Sequence, residues 1–352
     1  MCNRSPRLPS RRQPPWQTGM TLIELMISLA LGLLVITAAT SVFLASREAN
    51  RDTESLSRIQ ENARIAFDFM YRSLRELGNI PCGTDAKNVF SYSVSGSGWY
   101  ALTLPEDAKY EEYEKLVLKG KTDAGIDGAS GKIQKLDGRD YTVEYAAGGG
   151  DSLRFLTLAS DTGSGGISSI IDERDGKFVL QSVIGFDPSG IFLACDQSTL
   201  RIFTGGTFAA SPTATMPKRG MFFSPNLKLE DMSTTVAYLA MLHPEAWFIG
   251  RNERGGTSLY RATGNAHVDE IVPDATVMKL SYLIPGKPEY VDASKIPEDK
   301  DGWPKVVAVR IALTLRSDST RPTSAPGVIE RTLVHTVTFR NRQPVLLDES
   351  SP

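Results

Sequence analysis

The chain is poor in the residues that most often carry chemistry. Its 352 residues include three histidines, His243, His267 and His335, and three cysteines, Cys2, Cys82 and Cys195. The histidines are scattered, no CxxC occurs, and no His/Cys pair has ligand spacing, which argues against a structural zinc site. Taken singly, each histidine reads as a surface residue or a satisfied core residue. An excess of one charge is missing as well. Thirty-nine Lys and Arg stand against 41 Asp and Glu, a net charge of −2. That argues against nucleic acid as a partner held by a global basic field, while leaving room for a local basic patch. The glycine runs Gly148–Gly150 and Gly163–Gly166 lack the GK[ST] ending of a phosphate loop. The hydrolase elbow G-x-S-x-G is absent; Ser95-Gly96-Ser97-Gly98 before Trp99 comes nearest and reads as a flexible loop. Three acid-rich loops, Asp123–Gly128, Asp172–Gly176 and Glu298–Gly302, miss the EF-hand spacing and read as Asp-Gly turns. No catalytic set, no metal site and no cofactor is expected.

What the chain does have is one long apolar run near its start. Residues 1–19 carry Arg4, Arg7, Arg11 and Arg12, no acid, and Pro6, Pro9, Pro14 and Pro15. Such a leader is not helical, and its charge should hold this end in the cytoplasm. From Met20 to Ala45 the chain is apolar for about 25 residues, about 38 Å of helix, enough to cross a bilayer with tilt. This is no ordinary secretory signal. There the small residue at the cut follows the apolar core, whereas Gly19 precedes it. Inside the run sits Glu24, at a cost of about 2.5–3.5 kcal/mol even on lenient insertion scales.

Past Arg47 the composition turns polar but the helical period persists. Leu56, Ile59, Ala63, Ala66, Met70, Leu74 and Leu77 recur at steps of three and four, one apolar stripe on a wet helix. Gly78-Asn79 and Pro81 supply the stop. One helix over about 20–77 is predicted, about 85 Å long. Its second half packs on a globular domain or pairs in a coiled coil. Beyond Pro81 come short runs between turn clusters. Expected strands are Ser152–Leu158, Phe178–Phe186, Leu200–Phe203, Val236–Leu242, Ala246–Arg251, Ser258–Ala262, Thr276–Leu283, Val306–Leu315 and Thr332–Arg340. Turns are expected at Gly148–Asp151, Asp161–Gly166, Asp187–Gly190, Gly205-Gly206, Gly255-Gly256 and Pro285-Gly286. Glu106–Leu118 reads as a short helix or as a strand.

The segment Gly19-Met20-Thr21-Leu22-Ile23-Glu24-Leu25-Met26 resembles the type IV prepilin signature. Its leader is longer than most and ends Thr18-Gly19, and its first mature residue is Met rather than Phe. The resemblance implies cleavage by prepilin peptidase between Gly19 and Met20 and N-methylation of Met20. Glu24, then the fifth residue, would be an assembly residue. Residues four apart share a helix face, so its carboxylate can meet the new amine of its own chain or of a neighbour. An acid resting at the membrane interface is the alternative.

Weaker phrases are similar to the PilW family of minor pilins: Gly78–Gly83, Gly150–Phe155, Trp247–Arg261, Trp303–Ser317 and Phe339-Arg340-Asn341. That family implies an α+β, type IV pilin-like fold, a long N-terminal helix on a mostly antiparallel β-sheet domain. It implies a cleaved leader (1–19), a transmembrane helix (20–45), a periplasmic helical half (46–78) and a periplasmic β-rich domain (79–352). It also implies an inner-membrane protein that primes assembly of a type IV pilus used in twitching motility, at its tip or within it. Its partners would be other minor pilins, the major pilin, the assembly platform and a tip adhesin. A type II secretion pseudopilin shares the same leader, and a membrane-anchored periplasmic enzyme or binding module stands as a different class. Because Cys2 leaves with the leader and the periplasm is oxidising, a Cys82–Cys195 disulfide is expected. It would close a loop of about 113 residues and contribute roughly 4–5 kcal/mol in the loop-entropy model. Two buried thiols are the alternative.

Overall fold

In the computed structural model the described residues are 19–82, 88–91, 94–95, 103–104, 114, 117–122, 131–134, 140–158, 164–174, 176–181, 190–210, 220–223, 227, 229, 232–233, 237–263, 267–321, 324 and 327–342. The leader, the Asp123–Gly128 loop, most of Glu106–Leu118 and the second half of Phe178–Phe186 lie outside them. The chain divides into two compact units, Met1–Glu54 and Ser55–Pro352.

One helix, α1, runs from Leu22 to Arg75, 54 residues without a break. In the first unit its apolar residues are all exposed: Leu22 is 76% exposed, Leu34 66% and Val42 69%. In the second unit the stripe is buried. Ile59, Ala63, Ala66, Met70, Leu74 and Leu77 belong to the main core, together with residues of two β-sheets. Burying Ile59, Met70, Leu74 and Leu77 stabilises by about 1.5–3 kcal/mol each. The stripe is therefore covered by the chain's own sheets, and the coiled-coil reading falls. The helix stops where expected. Gly78 takes φ +66°, a conformation that glycine adopts without a Cβ penalty. Asn341 Nδ2 donates to the orphan carbonyl of Leu77 at 3.4 Å.

The larger sheet has 14 strands among the described residues. The strands that matter here are β1 (Ser152–Leu158), β2 (Ile191–Cys195), β3 (Thr199–Thr204), β4 (Tyr238–Arg251), β5 (Thr257–Thr263) and β6 (His267–Pro273). A second sheet holds β7 (Ala275–Leu283), β8 (Ala308–Arg316) and β9 (Glu330–Thr338) in antiparallel order. The architecture is α+β, with a long N-terminal helix and mostly antiparallel sheets.

β4 is the hub. One of its edges pairs with β2 over Tyr238–Leu242 and with β5 over Glu245–Arg251, and the other pairs with β1 over Leu242–Trp247. The expected break between Val236–Leu242 and Ala246–Arg251 does not exist, although Pro244 sits between them. Pro244 falls where the partner on one edge changes from β2 to β5, so the N–H it lacks has no ladder bond to lose. His243 supplies the neighbouring contact, its carbonyl accepting from Thr157 Oγ1 at 3.2 Å.

The turn expected over Asp161–Gly166 is also overturned at its end. Ser164–Asp172 is a strand, and Gly166 pairs with Tyr238. A Cβ on Gly166 would lie 2.9 Å from the Gln181 side chain, so glycine serves close packing there. The last strand ends at Thr338, and Arg340–Arg342 form a 3-10 turn. β2 reads IFLAC, a short apolar run that periodicity cannot assign, and β6 carries Asp269 and Glu270, which weaken a strand signal.

Candidate functional site

The N-terminal segment is built as a capped helix start. Thr21 precedes the helix, and its Oγ1 accepts from the Glu24 backbone N–H at 3.3 Å. Thr21-x-x-Glu24 is the spacing of a capping box, a signal in the sequence that the prepilin reading passed over. Glu24 thus lies in the first turn of α1. There the exposed N–H groups favour an anion by about 0.3–1 kcal/mol. That offsets only part of the roughly 2.5–3.5 kcal/mol an acid costs inside a membrane. Among the described residues none forms an ion pair with the Glu24 carboxylate. Gly19 and Met20, the two sides of the proposed cut, are both exposed and precede the helix. The first half of α1 is long and apolar enough to cross a membrane, and none of its most apolar window is buried.

The cysteines lie at the other end of the helix. The structure joins Cys82 to Cys195 with Cα atoms 5.9 Å apart. Cys82 follows the helix stop, and Cys195 is the buried last residue of β2. The bond ties the end of α1 to the larger sheet.

Next to it is a feature the sequence did not announce. Asp196 is 1% exposed. Its Oδ1 accepts from the N–H of Ser198 and of Thr199, both at 2.7 Å, and its Oδ2 accepts from Ser233 N–H at 2.8 Å. Burial works against its ionisation, but the backbone donors Ser198, Ser233 and Thr199 outweigh it and hold the carboxyl below the ordinary range. Asp196 thereby pins the loop around Ser233, whose apolar members Leu227, Leu229 and Met232 fill a second core.

The remaining candidates do not converge. His243 is on β4, His267 begins β6, and His335 on β9 stacks on Phe67 at 5.2 Å. No group of His, Cys, Asp or Glu among the described residues could hold a metal ion.

One comparison with known proteins bears on the N-terminus. A family model described as the prokaryotic N-terminal methylation motif matches residues 17–40. The match holds Gly19, Met20 and Glu24 but does not reach the PilW-like phrases. A type IV-like pilin from Thermus thermophilus is similar in structure over 44% of this chain and 85% of its own, at 11% identity and a TM-score of 0.18. An overlap of that quality adds nothing to the fold described above. No curated protein sequence matches the chain.

Proposed function

We propose that this chain is a minor pilin of a type IV pilus, cut between Gly19 and Met20, N-methylated at Met20 and docked through Glu24. The N-terminal methylation motif over residues 17–40 carries this reading. A helix whose apolar half is wholly exposed supports it. That half must be covered by lipid before assembly and by neighbouring helices after it. The acid fits the same scheme. Its capped first turn leaves most of the membrane cost of Glu24 standing, and a positive amine from a neighbouring subunit would remove the remainder.

On this reading residues 1–19 are the leader and 20–45 span the inner membrane. Residues 46–78 are the periplasmic half of the helix, and 79–352 are the periplasmic β-rich domain. Cys82–Cys195 then forms in an oxidising compartment. The domain would meet other minor pilins, the major pilin and the assembly platform, and would prime fibre growth or sit at the tip beside an adhesin. The role is structural rather than enzymatic.

Mass spectrometry of the membrane-bound chain tests the premise. In cells with an active prepilin peptidase the N-terminus should be N-methylated Met20; a retained leader would overturn the reading. Deletion of the gene should remove surface pili. Intact pili with lost enzyme secretion would assign the chain to a type II secretion pseudopilus instead.

A further inference from the structure

The smaller sheet treats its two edges differently. On the β7 edge the outward N–H groups from Met278 to Tyr282 all have partners. Met278 N–H donates to Gly149 O at 2.9 Å, Leu280 N–H to Asp151 Oδ2 at 2.7 Å and Tyr282 N–H to Val291 O at 2.8 Å. The β9 edge has no such cover.

β9 pairs with β8 along its whole length without a register shift. At both ends the ladder bonds run through odd-numbered residues. Ser317 N–H donates to Ile329 O and Phe339 N–H to Val307 O, each at 2.8 Å. Backbone groups alternate along a strand, so the N–H and C=O of Thr332, Val334 and Thr336 point away from β8. None of these groups has a hydrogen-bond partner among the described residues. Open edges are usually blunted by charge, proline, a bulge or a covering segment. From Thr332 to Thr338 there is no Lys, Arg, Asp, Glu or Pro.

The side chains narrow what could lie there. Leu333 and Val337 pack on the main core, and His335 between them meets Phe67 and stands edge-on to Tyr71 at 6.1 Å. Tyr71 is still 36% exposed, so a strand laid beside β9 would rest its inward side chains on an aromatic surface. Arg331 belongs to the same row. It is exposed and has no ion-pair partner among the described residues.

We propose that the β9 edge receives an extended segment of a partner protein, added antiparallel as a fourth strand of this sheet. Its backbone groups pair with those of Thr332, Val334 and Thr336. It is apolar or β-branched opposite Val337, His335 and Leu333, uncharged through its middle, and ends in an acid opposite Arg331. A second copy of this chain does not meet these terms. An antiparallel register that joins the outward groups of two β9 strands sets odd residues opposite odd ones. Glu330, the single acid of β9, then never faces Arg331, and Arg316 already holds it at 2.7 Å. The edge lies in the second unit, so its failure would leave the cut at Gly19 and the role of Glu24 untouched.

The test uses the full chain in a non-ionic detergent and the labelled peptide Thr-Val-Thr-Val-Thr-Val-Thr-Glu, read by fluorescence anisotropy against detergent alone. With its Glu opposite Arg331, this peptide turns its threonine N–H groups toward β9 and its valine N–H groups away. The form N-methylated on the valines should bind saturably. The form N-methylated on the threonines should bind at least about tenfold more weakly, because it loses the ladder. The double variant Val334→Lys/Thr336→Lys, at exposed positions, should weaken binding by a similar factor with an unchanged circular dichroism spectrum. Arg331→Glu should weaken it too, and a peptide ending in Lys should restore it. Ile171→Lys, at an exposed position on another strand, should change nothing. Absence of binding would overturn the proposal, and so would equal binding of the two N-methylated forms. Equal losses in Ile171→Lys and Val334→Lys/Thr336→Lys would do the same. Self-association of the chain that Val334→Lys/Thr336→Lys abolishes would also overturn it, giving the edge to a second copy.

Discussion

Leu34 and Leu74 are the same residue on the same helix, and one is 66% exposed while the other is fully buried. Nothing in the local backbone separates them, since α1 is continuous from Leu22 to Arg75. The difference lies in what surrounds each position in sequence. Around Leu34 apolar residues cover every face of the helix, and no part of the chain could cover them all. Around Leu74 they keep to one stripe, which fits the face of a sheet. An all-round apolar helix asks for lipid or other helices, and a striped one asks for its own domain.

The comparison can be broken most directly by removing side chains from each half. Leu74→Ala should cost about 2–5 kcal/mol of folding stability. Leu34→Ala should change it by no more than about 0.5 kcal/mol, measured by urea unfolding of the full chain in detergent. Equal losses would mean that the two halves are not distinct. The disulfide sharpens the same contrast, because it acts on the second unit alone. Cys82→Ser should lower stability by about 2–4 kcal/mol. A reducing agent should reproduce that loss in the parent chain and add nothing in the variant.

Two buried carboxylates within the second unit give the smallest and most discriminating test. Asp196→Asn should cost about 1–3 kcal/mol at neutral pH, because the backbone donors lose a charged acceptor. The Asp196 carboxyl is held low, so its contribution is present above the unfolded-state value and lost as pH falls through the folded one. Its variant and the parent should therefore converge in acid. Glu245→Gln should have the opposite sign and a smaller size. Its carboxyl is pushed up, so ionisation opposes folding, fully so above the folded-state value. The variant should gain stability at neutral pH and lose that advantage as pH falls below the ordinary glutamate range. Equilibrium unfolding across pH reads both. Two variants that move in the same direction would show that the environments of the two acids are wrongly assigned.

The helix was legible because its signals are local: a run of apolar residues, a persistent period and a Gly-Asn stop with Pro81 behind it. The strands β1, β5, β7 and β8 were legible for a similar reason, as β-branched and aromatic runs between turn residues. Pro244 misled because its local meaning is a break. Whether that break is made depends on which edge its missing N–H would have faced, and that is set by β2 and β5, distant in sequence. Gly166 misled in the same way, its turn signal standing for close contact with Gln181. Thr21 was missed although its spacing to Glu24 was in plain view.

The sequence by itself determined the long N-terminal helix of this protein. A glycine at the proposed cut, an acid at fixed offset and an apolar helix are contiguous, and their chemistry needs no distant partner to be read. Only the tertiary structure decided the second unit. It brought Glu245 beside Arg261 and closed the Asp196 latch around Ser233, and it carried β4 through a proline. Each of these joins residues far apart along the chain. Burial and hydrogen-bond satisfaction are properties of what packs around an atom, and no stretch of neighbouring residues records that.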